Sequence, residues 1–271
     1  DHLDYHETMD RYFAAKASLF TPARSRVGVV YVGDEYAQRL LDEAQIPLRS
    51  ISPEVAHAAT VALSSVTFSW HSHDVHAPLS GRYNVVNVSL ALEALSCLGI
   101  DDDALVAAVS ALSPVPGRYE RVAENPTVIV DYAHTPDGLE TVLRDVRSLS
   151  DATVVVVFGC GGDRDREKRP AMGAIAATYA DVVIVTNDNP RSENPTEIAD
   201  QIESGITGPC DLERVLDRRA AIARGIERAG EHGVVLIAGK GHEKTQETAG
   251  TVVEFDDVRV ARELLGRKVS E

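Results

Sequence analysis

The apolar positions divide the chain into two stretches of different rhythm. Over the first 115 or so residues the period changes from element to element. Met9, Tyr12, Phe13, Ala15 and Leu19 recur at helical spacing and predict an amphipathic helix over 7–19. VGVVYVGD (27–34) reads as a strand, 35–45 as a helix, and VTFSW (66–70) as a strand running into HSHDVH, which reads as a polar loop between strands. Gly81 closes the preceding element and Asn84 is placed to cap a helix whose apolar pattern fills 85–98. A shorter helix over 101–112 opens on acids that suit its positive end. SPVPGRY (113–119) then interrupts the pattern with two prolines and a glycine. This sets a domain boundary, with domains 1–115 and 116–271. From Thr127 the rhythm becomes regular: TVIVDYAH, a helix over 136–149, TVVVVFG, a helix over 170–179, VVIVT, helices near 195–205 and over 217–229, and VVLIAG. Buried β-branched strands alternating with helices predict an α/β fold with a doubly wound sheet.

Each of these strands runs into a polar loop. The first loop holds Asp131, Tyr132, His134 and Thr135, the second is GCGGDRDREKR (159–169), the third NDNPRSENP (187–195), and the fourth AGKGHEKTQ (238–246). In an open α/β sheet such loops share the carboxyl edge and line the ligand crevice. The third offers Asp188, Asn189 and Arg191 close together, with Pro190 restricting Asn189; its plain alternative is a turn that caps the helix at Asn194-Pro195. Glycines in GCGGDRD permit backbone N–H groups to approach an anion, although neither GxGxxG nor GxxxxGK[ST] occurs. In GKGHE, Glu243 can pair with a ligand ammonium, while Arg164 or Arg191 can pair with a carboxylate. Opposite charges at separate places suit a zwitterion.

Composition narrows the partners. With 27 basic against 42 acidic residues and a net charge of −15, the surface does not favour nucleic-acid backbones. Cys97, Cys160 and Cys210 form no CxxC and no disulfide framework, which fits a reducing cytoplasm. No apolar run reaches membrane-spanning length, and no leader-like segment opens the chain. His71, His73 and His76 stand as HxHDxH without a second cluster to complete a metal site. The dense opening DHLDYH is unlike an ordinary terminus and reads as a cut through a larger protein.

DHLDYH with AAK, GRYNVVN, GRYE, DYAHTPDGLE, FGCGGDRD, KRPAMG, DNPR and AGKGHE stand in the order and spacing of the Mur ligases. The chain resembles that family over essentially its whole length, and the triplet GCGGDRD, DNPR and GKGHE points to its diaminopimelate-adding branch. The resemblance implies the tail of a central ATPase domain followed by a Rossmann-like C-terminal domain that binds the incoming amino acid. It implies an ATP-dependent amide ligase that joins meso-diaminopimelate to UDP-N-acetylmuramoyl-L-alanyl-D-glutamate through an acyl phosphate, in peptidoglycan precursor synthesis. ATP and Mg2+ are the implied cofactors. His2 and a carbamylated Lys16 would serve the metal, and the alanines around Lys16 suggest a partly buried amine. Asn84, Asn87, Arg118, Asp131 and His134 would contact the nucleotide, with Arg118 also serving catalysis. Arg164, Asp188, Asn189, Arg191, Gly239 and Glu243 would hold diaminopimelate. Asn187 departs from the usual residue beside DNPR, and the family's GKT-type P-loop is absent, so the isolated chain is expected to be inactive. A monomer without nucleic acid or membrane insertion is expected. The alternatives are the family's lysine-adding ligase and a non-catalytic amino-acid or nucleotide-binding module.

Overall fold

The structure, a computed structural model, describes residues 6–266. It separates into two units, Asp1–Ser113 and Pro114–Glu271, a division two residues ahead of the boundary drawn from SPVPGRY.

The first unit contains α1 (Met9–Ala17), β1 (Gly28–Tyr31), α2 (Glu35–Glu43), β2 (Leu48–Ile51), α3 (Glu54–His57), β3 (Thr60–Val61), β4 (Val66–Trp70), β5 (His73–Ala77), α4 (Arg82–Cys97) and α5 (Asp102–Ser110). β1 and β2 pair in parallel, while β3, β4 and β5 form an antiparallel sheet. Alternation along β4 turns Val66, Phe68 and Trp70 inward, against Val75 and Ala77 of β5 and Val85, Val88 and Leu92 of α4. HSHDVH is therefore mostly strand rather than loop: only His71 and Ser72 make the turn, because Val75 and Ala77 carry the period-2 pattern into the core. His71 bridges two carboxylates, with Nε2 3.0 Å from Glu93 and Nδ1 2.8 Å from Asp102, while Trp70 Nε1 donates to Glu93 at 3.0 Å. Burial works against ionising Glu93, but hydrogen bonds from Arg49 and Trp70 prevail and hold its carboxyl below the usual range. Asn84 is not the cap of α4. The helix starts three residues earlier than such a cap implies, at Arg82 after Gly81 at φ 93, and Asn84 lies in its first turn donating to the Ser80 carbonyl at 2.6 Å.

The second unit contains β6 (Glu120–Glu124), β7 (Thr127–Asp131), α6 (Pro136–Leu149), β8 (Val154–Phe158), α7 (Lys168–Tyr179), β9 (Val182–Val185), α8 (Pro195–Glu203), β10 (Asp211–Arg214), α9 (Arg218–Ala229), β11 (Val234–Ala238), the hairpin β12 (Thr245–Thr248) with β13 (Thr251–Glu254), and α10 (Asp257–Leu264). The six-stranded sheet runs β10-β9-β8-β11-β7-β6, parallel throughout except for β6. β8, β9 and β11 are buried along their whole length, as continuous Val/Ile/Leu runs require when helices cover both faces. Ala221, Ile222 and Ala229 of α9 and Val260 and Ala261 of α10 cover one face; α6, α7 and α8 pack along the sheet as a second helical layer. The parallel registers bring the carboxyl ends of β7, β8, β9 and β11 to one edge. No described helix is long and apolar enough to cross a membrane.

Candidate active site

The loop leaving β9 is organised by Asn189. Its Nδ2 donates to Glu243 Oε2 at 2.9 Å, and its Oδ1 accepts from Lys240 Nζ at 3.1 Å and from the Glu247 N–H at 3.0 Å. Lys240 is fully buried and also reaches Glu243 at 3.2 Å. GKGHE thus meets DNPR through one amide that is bonded on both ends. Asp188 is buried beside it, and its carboxylate lies against Gly239, where an added Cβ would be 2.6 Å from Oδ2. Gly239 also sits at φ 113, so both space and backbone demand glycine there. Burial pushes the Asp188 carboxyl above its ordinary value, against the pull of Arg218 and Lys240. Arg218, itself fully buried, grips Asp257 at 2.8 Å through Nε and Nη2 and donates to the carbonyls of Ala238 at 3.0 Å and Asn187 at 3.2 Å. It ties the ends of β9 and β11 together from beneath.

The loop leaving β8 packs directly on DNPR. The Gly162 N–H donates to the Asn189 carbonyl at 2.9 Å, and an added Cβ on Gly162 would lie 1.9 Å from the Pro190 carbonyl oxygen. The expectation that these glycines turn N–H groups toward an anion fails at Gly162, whose N–H is engaged by the neighbouring loop. Two arginines flank the adjacent Gly161, one by its guanidinium and one by its aliphatic stem: a Cβ there would be 2.9 Å from Arg191 Nη1 and 3.9 Å from Arg164 Cγ. Arg191 Nη1 donates to the Gly162 carbonyl at 2.7 Å, whereas exposed Arg164 bonds to the Asp163 carbonyl at 3.1 Å. Arg191 stands at φ 53, in the left-handed region, and the β12–β13 hairpin holds it there. Its N–H donates to the Glu247 carbonyl at 3.1 Å, and its carbonyl accepts from the Ala249 N–H at 2.7 Å.

A buried ion pair underlies both loops. Glu193 accepts from Arg169 through both oxygens, each at 3.0 Å, and from the Asp163 N–H at 2.7 Å. The Arg169 hydrogen bonds, with attraction from Arg166, take the Glu193 carboxyl down to about 2 in spite of burial. Asp163 in turn accepts from the Ser192 hydroxyl at 2.6 Å. These bonds join 159–169 and 186–193 into one rigid floor.

At the end of β7 the arrangement is different. Arg118 lies 4.3 Å over the Tyr132 ring, which meets His134 edge-on at 4.7 Å and His242 at 5.1 Å. An exposed guanidinium stacked on an aromatic ring can meet anionic oxygens while the rings offer an apolar surface. The His134 carbonyl accepts from Lys168 at 2.8 Å. Asp131 is buried, with Oδ2 accepting the Tyr119 N–H at 2.7 Å and Oδ1 the Ala133 N–H at 2.8 Å, so it shapes this turn from below.

In the first unit Asn87 Nδ2 lies 3.3 Å from Asn84 Oδ1 on the first turns of α4. Lys16 is exposed, 5.5 Å from the Tyr12 ring centroid, not partly buried. Its alanine neighbours are too small to cover it, and Phe13 is the only buried residue of α1. His2 lies outside the described residues. Among the described residues no group of three His, Cys, Asp or Glu is placed to hold a metal. Of the expected residues, the structure gathers Asp188, Asn189, Gly239 and Glu243, sets Arg164 and Arg191 about Gly161, and places Arg118 with His134 around Tyr132. Sequence reading missed Arg169, Glu193, Arg218, Glu247 and Asp257. All are charged residues next to helix starts or in a short hairpin, where charge ordinarily signals solvent.

The sequence profile described as the Mur ligase middle domain matches residues 1–95, and the one described as the Mur ligase glutamate ligase domain matches 117–241. The chain is 42% identical over 284 residues to the UDP-N-acetylmuramoyl-L-alanyl-D-glutamate–2,6-diaminopimelate ligase of Streptomyces coelicolor, covering 98% of this chain and 56% of that protein. It is 40% identical over 278 residues to the enzyme of the same name from Aquifex aeolicus, covering 98% of this chain and 57% of that one. A solved structure of a ligase of that name superposes with a TM-score of 0.64 at 37% identity, covering 98% of this chain and 58% of the other. The chain therefore spans little more than half the length of the relatives it matches.

Proposed function

Because the chain belongs to the Mur ligase family, we propose that it works in the ATP-dependent addition of meso-diaminopimelate to UDP-N-acetylmuramoyl-L-alanyl-D-glutamate, with Pro114–Glu271 holding the diamino acid. The observation that carries this reading is that one loop edge presents both a cation, Arg191 held by the Gly162 carbonyl, and an acid, Glu243 held by Asn189 Nδ2. Meso-diaminopimelate carries two ammonium and two carboxylate groups. Lysine lacks the second carboxylate and leaves one cation unmatched. Asp188 and Asn189 with Gly239 position this edge, Glu243 meets an ammonium, and Arg164 and Arg191 meet carboxylates.

The remaining assignments follow the same reading. Asn84 and Asn87 serve the adenine side of ATP. Arg118, over Tyr132, meets phosphate oxygens, next to His134 and above Asp131. In the overall reaction a carboxylate oxygen of the dipeptide attacks the γ-phosphorus and ADP leaves; the deprotonated amine then attacks the acyl carbon and phosphate leaves. Magnesium would offset phosphate charge when bound. Its assigned ligands are His2, outside the described residues, and the carbamate of Lys16, a side chain that stands exposed, and among the described residues no acidic cluster is placed to hold a metal, so no step is assigned to the ion. We take the protein to act as a monomer.

Calorimetry tests the amino-acid assignment. The chain is expected to bind meso-diaminopimelate in preference to lysine. Arg191→Ala should weaken diaminopimelate by about 3 kcal/mol, roughly a hundredfold, because a carboxylate is left unpaired. Equal affinity for the two amino acids, or an Arg191→Ala chain that keeps its preference, would overturn the assignment.

A further inference from the structure

The charged groups at the edge of the sheet are already matched inside the protein. Lys240 is fully buried and bonded to Asn189 and Glu243. Arg191 is matched differently. The carboxylate of Glu247 lies 3.8 Å from Arg191 Nε, beyond hydrogen-bond distance, with Arg191 25% and Glu247 41% exposed. The guanidinium does not depend on that carboxylate for its position. Arg191 Nη1 is fixed by the Gly162 carbonyl, and the backbone of Arg191 is bonded at both its N–H and its carbonyl to the hairpin. Glu247 contributes to that scaffold through its own backbone, whose N–H bonds to Asn189 and whose carbonyl accepts from Arg191. Its side chain adds charge without adding geometry.

We propose that Glu247 is a specificity-determining counterion: its carboxylate partly neutralises Arg191, so that a ligand's distal carboxylate must share the guanidinium with a resident acid. The inference rests on the assignment of Arg191 to that carboxylate. A resident acid at this distance repels every anion approaching Arg191. It favours a ligand that brings ammonium groups elsewhere over a simple dicarboxylate, which has only Arg191 and Arg164 to meet. It also lowers the affinity for diaminopimelate itself. Two unit charges about 6 Å apart in water-like screening interact by a factor of about three in an equilibrium constant, and salt diminishes it.

Glu247→Gln isolates the charge, because glutamine retains the backbone bonds and nearly the same shape. Calorimetry at low ionic strength with meso-diaminopimelate, lysine and pimelate is expected to show about a threefold gain for diaminopimelate, a gain at least as large for pimelate, and none for lysine. The gains should shrink at 0.5 M salt, and native-state hydrogen exchange at the hairpin should match that of the parent chain. Unchanged diaminopimelate affinity, weakened affinity with an intact hairpin, or an equal gain for lysine would each overturn the counterion role. Glu247→Asp, which keeps the charge, should behave like the parent; a gain there as large as with glutamine also counts against it. Arg191→Ala run alongside separates the two claims, since an unaltered preference in that variant defeats the assignment of Arg191 rather than the effect of Glu247.

Discussion

Replacing Glu193 by glutamine tests whether one buried ion pair holds the two central loops together. The Glu193 side chain is 8% exposed and that of Arg169 0% exposed. Glutamine preserves shape but turns an amide N–H toward a donor that the carboxylate had accepted, either the Arg169 guanidinium or the Asp163 N–H. It also leaves the Arg169 charge without its buried counterion. Removing one member of a buried pair costs about 3–5 kcal/mol. Arg169 keeps bonds to Gln201 Oε1 at 2.7 Å and to the Gly161 carbonyl at 3.1 Å, which places the cost at the lower end. The carboxyl itself points the same way. It is held at about 2 against an ordinary 4.5, and at about 1.4 kcal/mol per pH unit the difference amounts to about 3 kcal/mol. Since the folded-state value is depressed, this stabilisation is fully present above about pH 4.5 and is lost as pH falls toward about 2.

Native-state hydrogen exchange of amides in the sheet of the second unit, repeated from pH 7 to pH 3, reads this directly. The glutamine chain should be about 3 kcal/mol less protected at neutral pH, and the gap between the two chains should narrow as the acid range is entered. A difference below about 1 kcal/mol at pH 7, or a gap that does not change across the acid range, would show that the loops do not depend on this pair.

Two further outcomes follow from the same electrostatics. Asp257→Asn strands the fully buried Arg218 and should cost about 3–5 kcal/mol in urea unfolding, whereas Arg218→Met with Asp257→Leu should recover most of that loss; an equally large loss in the double variant would refute the account. Cys160 is 3% exposed and its thiol is pushed by burial up to about 12, so iodoacetamide at pH 8 should label Cys97 and Cys210 in the native protein and spare Cys160, and equal labelling by mass spectrometry would count against it.

The buried parallel strands were legible because each is a run of β-branched residues bounded by polar loops, a pattern that only a strand covered on both faces satisfies. The loop cluster was legible for the same reason, as the carboxyl edge follows from the parallel sheet. Edge elements were not. β10 reads DLER and is largely exposed, and its pairing with β9 is set by the sheet beside it rather than by its own composition. The β12–β13 hairpin lacks a clean alternation, with Val252 and Val253 both exposed. HSHDVH misled because histidines dominate its appearance, while two small apolar residues, Val75 and Ala77, decide its conformation. Asn84 looked like a cap because it is a good one; Gly81 reached the required backbone first.

The charged residues of the site were read from sequence as groups waiting for a ligand, and the structure shows why most cannot wait. A carboxylate or guanidinium left unpaired at a buried loop edge costs several kcal/mol, and several of these groups have acquired internal partners. Asp131 has both oxygens bonded, Asn189 has both ends of its amide bonded, and Lys240 is enclosed. What remains for recognition is the outer fraction: the 35% exposed side chain of Glu243, one oxygen of which is bound by Asn189 and Lys240, and the 25% exposed Arg191, held through one nitrogen by Gly162. Such groups are already oriented, so little conformational freedom is lost when a ligand arrives. Their reach is set by the inner partners as much as by their own charge. Under the assignment proposed above, selectivity at this edge would belong to pairs, Glu243 with Lys240 and Arg191 with Glu247. Exchanging Arg191 alone for a neutral residue would leave Glu247 facing the ligand as an uncompensated acid, which disfavours a second carboxylate beyond the loss of the arginine itself.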